Sequence, residues 1–382
     1  MKEKLSVLKI LFWISAWIFI SSFSKSFALP RFAVMYNDKC SSCHFNPTGG
    51  ELRTEDGFEF GKNIMSMISP KDETFPLSNK LTNNISFGLD YRSQYLYAQD
   101  KRRSDFQDME GSIYLNAALS EKINLQSRYD FINNIWEGYA VAKILPNDSY
   151  IKVGSFMPNF GIRLDDHTAY TRGGDYGLLF TTGAIQGLIY NPLYTENGIE
   201  VGANLSDIIF LTGSVGRAKS NPILTTDPTW TTRLEITPSV GRVGLSFGGS
   251  FASTKTKNYN SVTGAIGVLP SQFYGGFAGI GYKQFSLLGE YDLANDYLNS
   301  GKTSSALMIE AAYQLMVGLQ AVFRYDRFDP NTSVTSDTFS HLIFGFEFYP
   351  YSFVEIKPQF RINMHDPNDK SNAVVVQFHF WY

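Results

Sequence analysis

The sequence has little net charge, almost no cysteine and, beyond its first 28 residues, no long apolar run. Its 33 Lys and Arg nearly balance its 36 Asp and Glu, which argues against a polyanionic partner such as nucleic acid. No run of about 18 apolar residues follows residue 28, so no transmembrane helix is expected there. Cysteine occurs only at positions 40 and 43, and thiol chemistry is therefore confined to one short stretch.

Residues 1–28 have the pattern of a cleaved signal peptide. Lys2 and Lys4 supply a positive start, an apolar core follows, and SFA at 26–28 puts small residues at the −3 and −1 positions. We therefore expect cleavage after Ala28 and export of the chain. The apolar core is fairly long for such a peptide, and an uncleaved anchor helix is the alternative.

Aromatic residues and glycine are abundant, and apolar residues recur with a period of two. Aromatic residues make up 15% of the chain and glycine occurs 32 times, a mixture that suits strands joined by tight turns. From about residue 84 apolar and polar residues alternate, and charges of both signs stand at mid-strand on the polar face, as in 123–131 and 354–362. This favours a wet lumen over the buried face of a soluble β-sandwich, which is the alternative.

The strand count supports a closed barrel. Eleven strands between 195 and 382 and five between 84 and 157 make sixteen, joined alternately by short turns such as YKQ near 283 and long loops such as KTKNYNSVTGAIG. Short turns on one side and long loops on the other are typical of outer-membrane barrels. The final residues, FHFWY, also resemble the C-terminal assembly signal of such barrels. We therefore predict an all-β fold, a transmembrane antiparallel β-barrel of about sixteen strands.

The stretch 158–194 is left over from this count. An extra hairpin within it would raise the number of strands to eighteen. Its first part resembles the strand and constriction loop of phosphate-selective-type porins. That resemblance implies that five polar or charged residues fold into the lumen: Arg163, Asp165, Asp166, His167 and Arg172. The alternative is a solvated surface loop.

The two cysteines belong to a C-x-x-C-H motif, the attachment signature of c-type haem. Cys40 and Cys43 are spaced so that, on a helical turn, each thiol can bond to a vinyl group of one porphyrin, and His44 follows as an axial ligand of the iron. We therefore predict one covalently attached haem c. A thioredoxin-like disulfide centre lacks its βαβ setting here. A structural zinc site lacks a fourth ligand, since the next histidine is His167.

The segment that carries the motif, residues 29–80, is too short to bury a haem by itself. We expect the mouth or lumen of the barrel, residues 81–382, to complete the pocket; a mobile periplasmic tail with an exposed haem is the alternative. Met65 and Met67 are candidates for the second axial ligand, and Met35 and His167 are further ones. For each methionine, an apolar packing role is the competing interpretation.

The order of these parts resembles the fused monohaem c-type cytochrome–porins of the outer membrane, best known from iron-oxidising bacteria. The resemblance implies that Cys40 and Cys43 carry the thioether bonds and that His44 ligates the iron. It also implies electron transfer across the outer membrane between an extracellular donor or acceptor, with Fe(II) as one candidate, and a periplasmic carrier such as a soluble cytochrome c. HFNPTGGELR after the motif is more similar to a broader class of cytochrome-bearing barrels, which leaves the donor open.

Two other functions stay open at this point. A diffusion porin for small solutes or anions, with an accessory haem segment, is the main alternative. A catalytic haem such as that of a peroxidase needs an open sixth position and a distal acid–base pair, and the sequence offers no such pair. The expectation is therefore an electron-transfer protein of the outer membrane rather than a classical enzyme, with its haem segment on the periplasmic side or inside the barrel.

Overall fold

The structure is a computed structural model that describes residues 30–36, 39–71, 76–164, 168–174, 187–219, 224–259, 266–297, 300–365 and 369–382. The signal peptide predicted over 1–28, three of the predicted lumen residues (Asp165, Asp166 and His167) and most of the candidate extra hairpin lie outside these residues. Within the described ranges, no helix is both long and apolar enough to cross a membrane.

Strands make up most of the described chain. They are β1 Lys80–Thr82, β2 Ile85–Ala98, β3 Arg103–Ser120, β4 Ile123–Asp130, β5 Ile135–Ala142, β6 Tyr150–Phe156, β7 Glu196–Ser206, β8 Ile209–Ala218, β9 Thr229–Ile236, β10 Ser239–Val240, β11 Val243–Tyr259, β12 Ile266–Tyr282, β13 Phe285–Asn295, β14 Thr303–Met316, β15 Leu319–Asp329, β16 Phe339–Tyr351, β17 Val354–His365 and β18 Asp369–Trp381. Because β1 and β10 have only three and two residues, sixteen strands of the described chain are of full length.

The sixteen long strands form one closed antiparallel barrel. Consecutive strands pair from β2 to β9 and from β11 to β18, while β9 pairs with β11 and β18 with β2. Closure leaves no free edge, which is the condition for a β-structure in lipid. The prediction of a sixteen-strand barrel is confirmed. The described part of 158–194 contains no strand, and the two extra strands are the short β1 and β10, which pair with β2 and β11.

The predicted alternation separates an apolar exterior from a polar lumen. On β4, Leu125 and Tyr129 point outward and are 44% and 43% exposed, whereas Arg128 points inward and is buried. Inward charges pair with each other: Arg128 lies 2.7 Å from Glu110 through Nη2 and 2.7 Å from Glu137 through Nη1. An apolar exterior around a polar interior reverses the pattern of a soluble barrel and matches one that is surrounded by lipid.

The two ends of the barrel differ. At the end that holds the C-terminus, here called the short-turn end, strands are joined by short connections such as 283–284, 317–318 and 352–353. At the opposite, long-loop end the connections include 157–195 and 219–228. The predicted asymmetry is confirmed, with one correction. Most of the loop expected at KTKNYNSVTGAIG is strand, because β11 continues to Tyr259, which pairs with Ile266 on β12.

Ahead of the barrel the chain forms short helical pieces in an otherwise irregular segment. They are α1 Pro30–Tyr36, α2 Cys40–Cys43, α3 Glu55–Glu59 and a π-helical turn, Phe60–Ile64. Thr54 caps α3, since its side-chain oxygen accepts a hydrogen bond from Gly57 N at 3.3 Å. Helices this short are not stable alone in water, so the segment depends on the barrel for its structure.

Candidate functional site

The N-terminal segment, residues 30–71, lies in the lumen at the short-turn end. α1 packs against β11, β12 and β13. A Cβ atom at Gly244 or Gly281 would lie 2.2 Å from backbone atoms of Val34, so these inward glycines leave the room that the helix fills. Arg31 Nη2 lies 2.7 Å from Glu310 Oε1, and Arg31 forms a second ion pair with Glu347. α1 is therefore fixed to the wall on β11–β13 and on β14 and β16.

Aromatic residues attach the later part of the segment to the C-terminal strands. Phe58 is 2% exposed, and its ring centroid lies 4.7 Å from that of Phe353 and 5.3 Å from that of Tyr382. Further along, Met67 N donates a hydrogen bond to Tyr349 O at 2.9 Å. Residues of β16, of the β16–β17 turn and of the C-terminus thus hold the segment in place.

The C-x-x-C-H motif forms one helical turn followed by a tight loop. α2 contains both cysteines, and His44 N donates to Cys40 O at 3.0 Å. The chain then folds back, so that Phe45 N donates to Leu52 O at 3.1 Å. Gly49 has a φ of 87°, and a Cβ there would lie 3.0 Å from Cys40 Cβ. Glycine is needed to bring the loop this close to the first cysteine.

The two cysteines form no disulfide and face different surroundings. Cys40 is half-buried and lines a cavity, whereas Cys43 is buried against Phe32 and Met35. Burial raises the pKa of the Cys40 thiol to about 12, and Glu235 acts in the same direction. Cys40 is therefore a protonated thiol at neutral pH.

The imidazole of His44 is buried, and its Nδ1 atom makes no hydrogen bond. Burial, together with the guanidinium groups of Arg53 and Arg163, lowers the pKa of His44 to about 3. The ring is therefore neutral at physiological pH. A neutral imidazole is the form of histidine that ligates a metal.

Two cavities that share lining residues lie beside the motif, in addition to a third that Cys40 also lines. The first is lined by Cys40 and His44. The second is lined by Phe32 and Met65, which pack in one cluster with Cys43. Three residues line both cavities: Arg53, Arg163 and Leu164. A planar group bonded to both sulfurs would extend into both spaces.

These residues fit a c-type haem better than a bare metal ion. In the part of the chain that the structure describes, no three or more His, Cys, Asp or Glu side chains are arranged to hold a metal ion. Cys40, Cys43 and His44 therefore do not converge on one point. A c-type haem does not require them to converge, because the thiols bond to carbon atoms at the porphyrin edge and only the imidazole reaches the iron.

The structure separates the two candidate axial methionines. Met65 is half-buried and packs on the cluster that contains Cys43, as does the buried Met35. Met67 is 42% exposed, and a Cβ on Gly318, in the β14–β15 turn, would lie 2.2 Å from its Cγ. Met65 and Met35 therefore lie beside the motif, whereas Met67 packs against the barrel rim.

The connection between β6 and β7 enters the lumen from the long-loop end. Arg172 is buried, with Nη2 2.7 Å from Glu290 Oε1 on β13. Arg163 reaches the N-terminal segment, with Nη2 3.3 Å from Glu51 Oε1. The prediction that this stretch folds into the lumen is confirmed for Arg163 and Arg172, and the surface-loop alternative is wrong for these two residues.

Apolar residues of the same connection fill the lumen at the long-loop end. This long-loop cluster joins residues of the connection to inward residues of the wall: Phe160, Tyr170, Leu188, Ile189, Tyr190 and Tyr194 with, among others, Phe273, Tyr297 and Phe328. The sequence analysis missed it and expected a wet lumen. The available signal was the apolar run LIY at 188–190, inside the stretch left over from the strand count.

Comparisons with known proteins identify the fold alone. No family model matches the chain, and no curated protein matches it. The high-pH structure of OprB from Pseudomonas putida is similar, with a TM-score of 0.62 at 11% identity over 85% of this chain and 100% of that one. The outer membrane channel DcaP of Acinetobacter baumannii gives 0.56 at 11% over 80% and 100%. An anion-selective porin from Comamonas acidovorans gives 0.53 at 10% over 78% and 99%. The chain thus has a porin-like barrel fold.

Proposed function

We propose that the chain is an outer-membrane β-barrel that holds one c-type haem in its lumen and transfers single electrons across the membrane. The main support is the position of the C-x-x-C-H turn, which lies inside the barrel with packed residues on both sides of it. Residues 30–71 pack in the lumen at the short-turn end, and the long-loop cluster packs at the other. Haem, when bound, supplies one-electron redox chemistry.

The residues of the motif have distinct roles in this proposal. Cys40 and Cys43 hold the group through their sulfurs, and His44 presents a neutral imidazole to the iron. Phe32 and Met35 exclude water on the Cys43 side of the site. Such a hydrophobic shell controls solvent access and hence the redox potential of a metal centre.

Partners must reach the site from both mouths of the barrel. The apolar band of such a barrel is about 25 Å tall, and one haem does not bridge it. We propose an extracellular donor or acceptor, with a dissolved metal such as Fe(II) as one candidate, and a periplasmic carrier such as a soluble cytochrome c. A third cavity runs from the connections near Lys143 and Asp207 at the short-turn end to Cys40, which offers an approach from the periplasmic side.

Proteoliposomes test this function. Full-length protein matured with haem is inserted into vesicles that enclose a soluble cytochrome c, and a membrane-impermeant reductant is added outside. We expect reduction of the enclosed cytochrome with the original protein, and none with the variant that combines Cys40→Ser and Cys43→Ser. Equal rates with both proteins would refute the proposal.

A diffusion porin with an accessory haem segment is the second candidate. The similarity in fold to a channel and to an anion-selective porin favours it. It requires a continuous path for solutes, which planar-bilayer conductance measures directly. Porin-sized steps that are unchanged by His44→Ala would support the porin, and a barrel that stays closed would support electron transfer.

A further inference from the structure

We propose that Arg53 and Arg163 bind the two carboxylate groups of the haem, an inference that rests on the function proposed above. Both arginines line the cavity that Cys40 and His44 line and also the cavity that Phe32 and Met65 line. A haem bonded to Cys40 and Cys43 would occupy space in each cavity, so its carboxylates would meet these two side chains. Carboxylates taken out of water need a charged, hydrogen-bonding partner, and the planar guanidinium group matches them in a bidentate way.

Arg163 is held directly against the motif loop. A Cβ at Gly50 would lie 2.6 Å from Arg163 Nε, so the side chain lies on the loop backbone. Its ion pair with Glu51 measures 3.3 Å, and the Glu51 carboxylate also accepts hydrogen bonds from Asn46 Nδ2 at 3.0 Å and Tyr139 Oη at 2.6 Å. One such pair engages only part of the five donors of a guanidinium group.

Arg53 is fixed to the motif through the backbone. It forms an isolated antiparallel bridge with His44, and its guanidinium carbon lies 5.3 Å from the ring centroid of Trp381. The two arginines therefore come from different parts of the chain, one beside the axial histidine and one from the β6–β7 connection. A group bound between them would link the N-terminal segment to that connection.

The other arginines of the first cavity have strong partners in the wall. Arg92 Nε lies 3.0 Å from Asp90 Oδ1, and Arg128 lies 2.7 Å from both Glu110 and Glu137. Arg172 lies 2.7 Å from Glu290 and donates to Ile162 O at 2.6 Å. Because these contacts tie them to strands and to the loop backbone, they serve the barrel structure rather than a bound anion.

The test uses full-length protein matured with its haem and purified in detergent. The variants are Arg53→Gln and Arg163→Gln, with Arg53→Lys and Arg163→Lys to keep the charge. Lys122→Gln is the matched control, since Lys122 is exposed and lines none of the three cavities. Three quantities are measured: the covalently bound haem per chain, the resonance Raman bending bands of the haem carboxylates, and the midpoint potential.

We expect equal haem content in all proteins. Each Gln variant should shift the carboxylate bands and lower the midpoint potential, because an unneutralised negative charge favours iron(III). The Lys variants should recover the potential but not the original bands, and Lys122→Gln should match the original protein.

Two results would overturn the inference while the proposed function stands. One is attached haem with bands and potentials that no variant changes. The other is a lower potential with unchanged carboxylate bands, which would mean that the arginines act at a distance. An original protein without covalent haem would instead refute the proposed function, and this inference with it.

Discussion

Truncation of Phe58 should release the N-terminal segment from the barrel while leaving the barrel intact. Phe58 is 2% exposed and packs on Phe353 and Tyr382, but it belongs to no strand. Replacement of a buried Phe by Ala costs about 3–5 kcal/mol. Because the lost contacts join the segment to the wall, Phe58→Ala should raise the population of the undocked segment by a factor of roughly 10² to 4 × 10³.

The accessibility of Cys43 reports this undocking. Cys43 is 8% exposed in the docked segment, so a polar maleimide reaches it only after opening. When the segment recloses faster than the reagent reacts, the labelling rate follows the undocked population. The measurement uses haem-free protein with Cys40→Ser in the background, because Cys40 is half-buried and would react on its own.

Phe344→Ala is the matched control for Phe58→Ala. Phe344 lies on β16, points outward and is 47% exposed, so its truncation changes docked and undocked forms alike. Labelling of Cys43 in Phe58→Ala that is no faster than in Phe344→Ala would show that this cluster does not hold the segment. The account of the segment as a docked part of the lumen would then be wrong.

Three further changes test other contacts. Gly57→Ala would put a Cβ 2.1 Å from Cys43 O, so it should reduce the stability of the docked segment by about 1–3 kcal/mol and speed labelling of Cys43. Gly213→Ala is the control, because a Cβ there meets no atom within 4 Å, and it should leave the labelling rate unchanged. Lys152→Met breaks a fully buried ion pair of 2.7 Å with Glu200 and should lower the free energy of unfolding in urea by about 3–5 kcal/mol. Adding Glu200→Leu should recover most of this loss. An equal loss in the single and the double variant would contradict the ion-pair account. Tyr170→Ala and Phe58→Ala should each leave the barrel closed in planar bilayers, and the double variant should conduct. Conductance from either single variant would contradict the idea that the long-loop cluster and the docked segment each block the lumen.

The barrel could be predicted from the sequence because lipid imposes a strict rule on it. Outward residues such as Leu125 and Tyr129 must be apolar, and inward ones such as Arg128 are free to be charged. The rule fails near the end of the β11–β12 hairpin, where residues on both faces are polar, as in Lys255, Thr256 and Lys257. Strands β11 and β12 continue there without apolar alternation, since backbone pairing does not need it, and Tyr259 pairs with Ile266 in a stretch that was expected to be a loop.

The content of the lumen could not be predicted in the same way. Alternation shows which residues point inward, and it does not show what they meet there. Phe273 and Ser271 share the inward parity of β12 and both are buried, yet Phe273 packs in the long-loop cluster while Ser271 Oγ donates to Asp296 O at 2.8 Å. Which partner an inward residue meets depends on segments that fold in from elsewhere in the chain, and no local pattern reports such long-range contacts.

The motif could be predicted from the sequence, whereas the residues that surround it in the fold could not. C-x-x-C-H is contiguous, so the spacing of Cys40, Cys43 and His44 could be recognised directly. Arg163 is more than a hundred residues away, and only the inward fold of the β6–β7 connection brings it to the loop at Gly50. Its candidacy as a lumen residue came from a resemblance, and its contact with the motif came only from the structure.

Two segments occupy the lumen, the N-terminal segment and the β6–β7 connection, and they bear on the choice between the candidate functions. The N-terminal segment is built from helices too short to be stable alone. Packing against the barrel wall stabilises it, through Val34 on the glycines of β11 and β12 and through Phe58 on the C-terminal residue Tyr382. The β6–β7 connection meets this segment from the other side, at the contact between Arg163 and Glu51. An inward connection is also what the resemblance to a constriction loop implies for a diffusion barrel, and here a second segment docks from the other end. A solute needs a continuous path through the barrel and an electron does not, so conductance in planar bilayers decides between the two candidate functions.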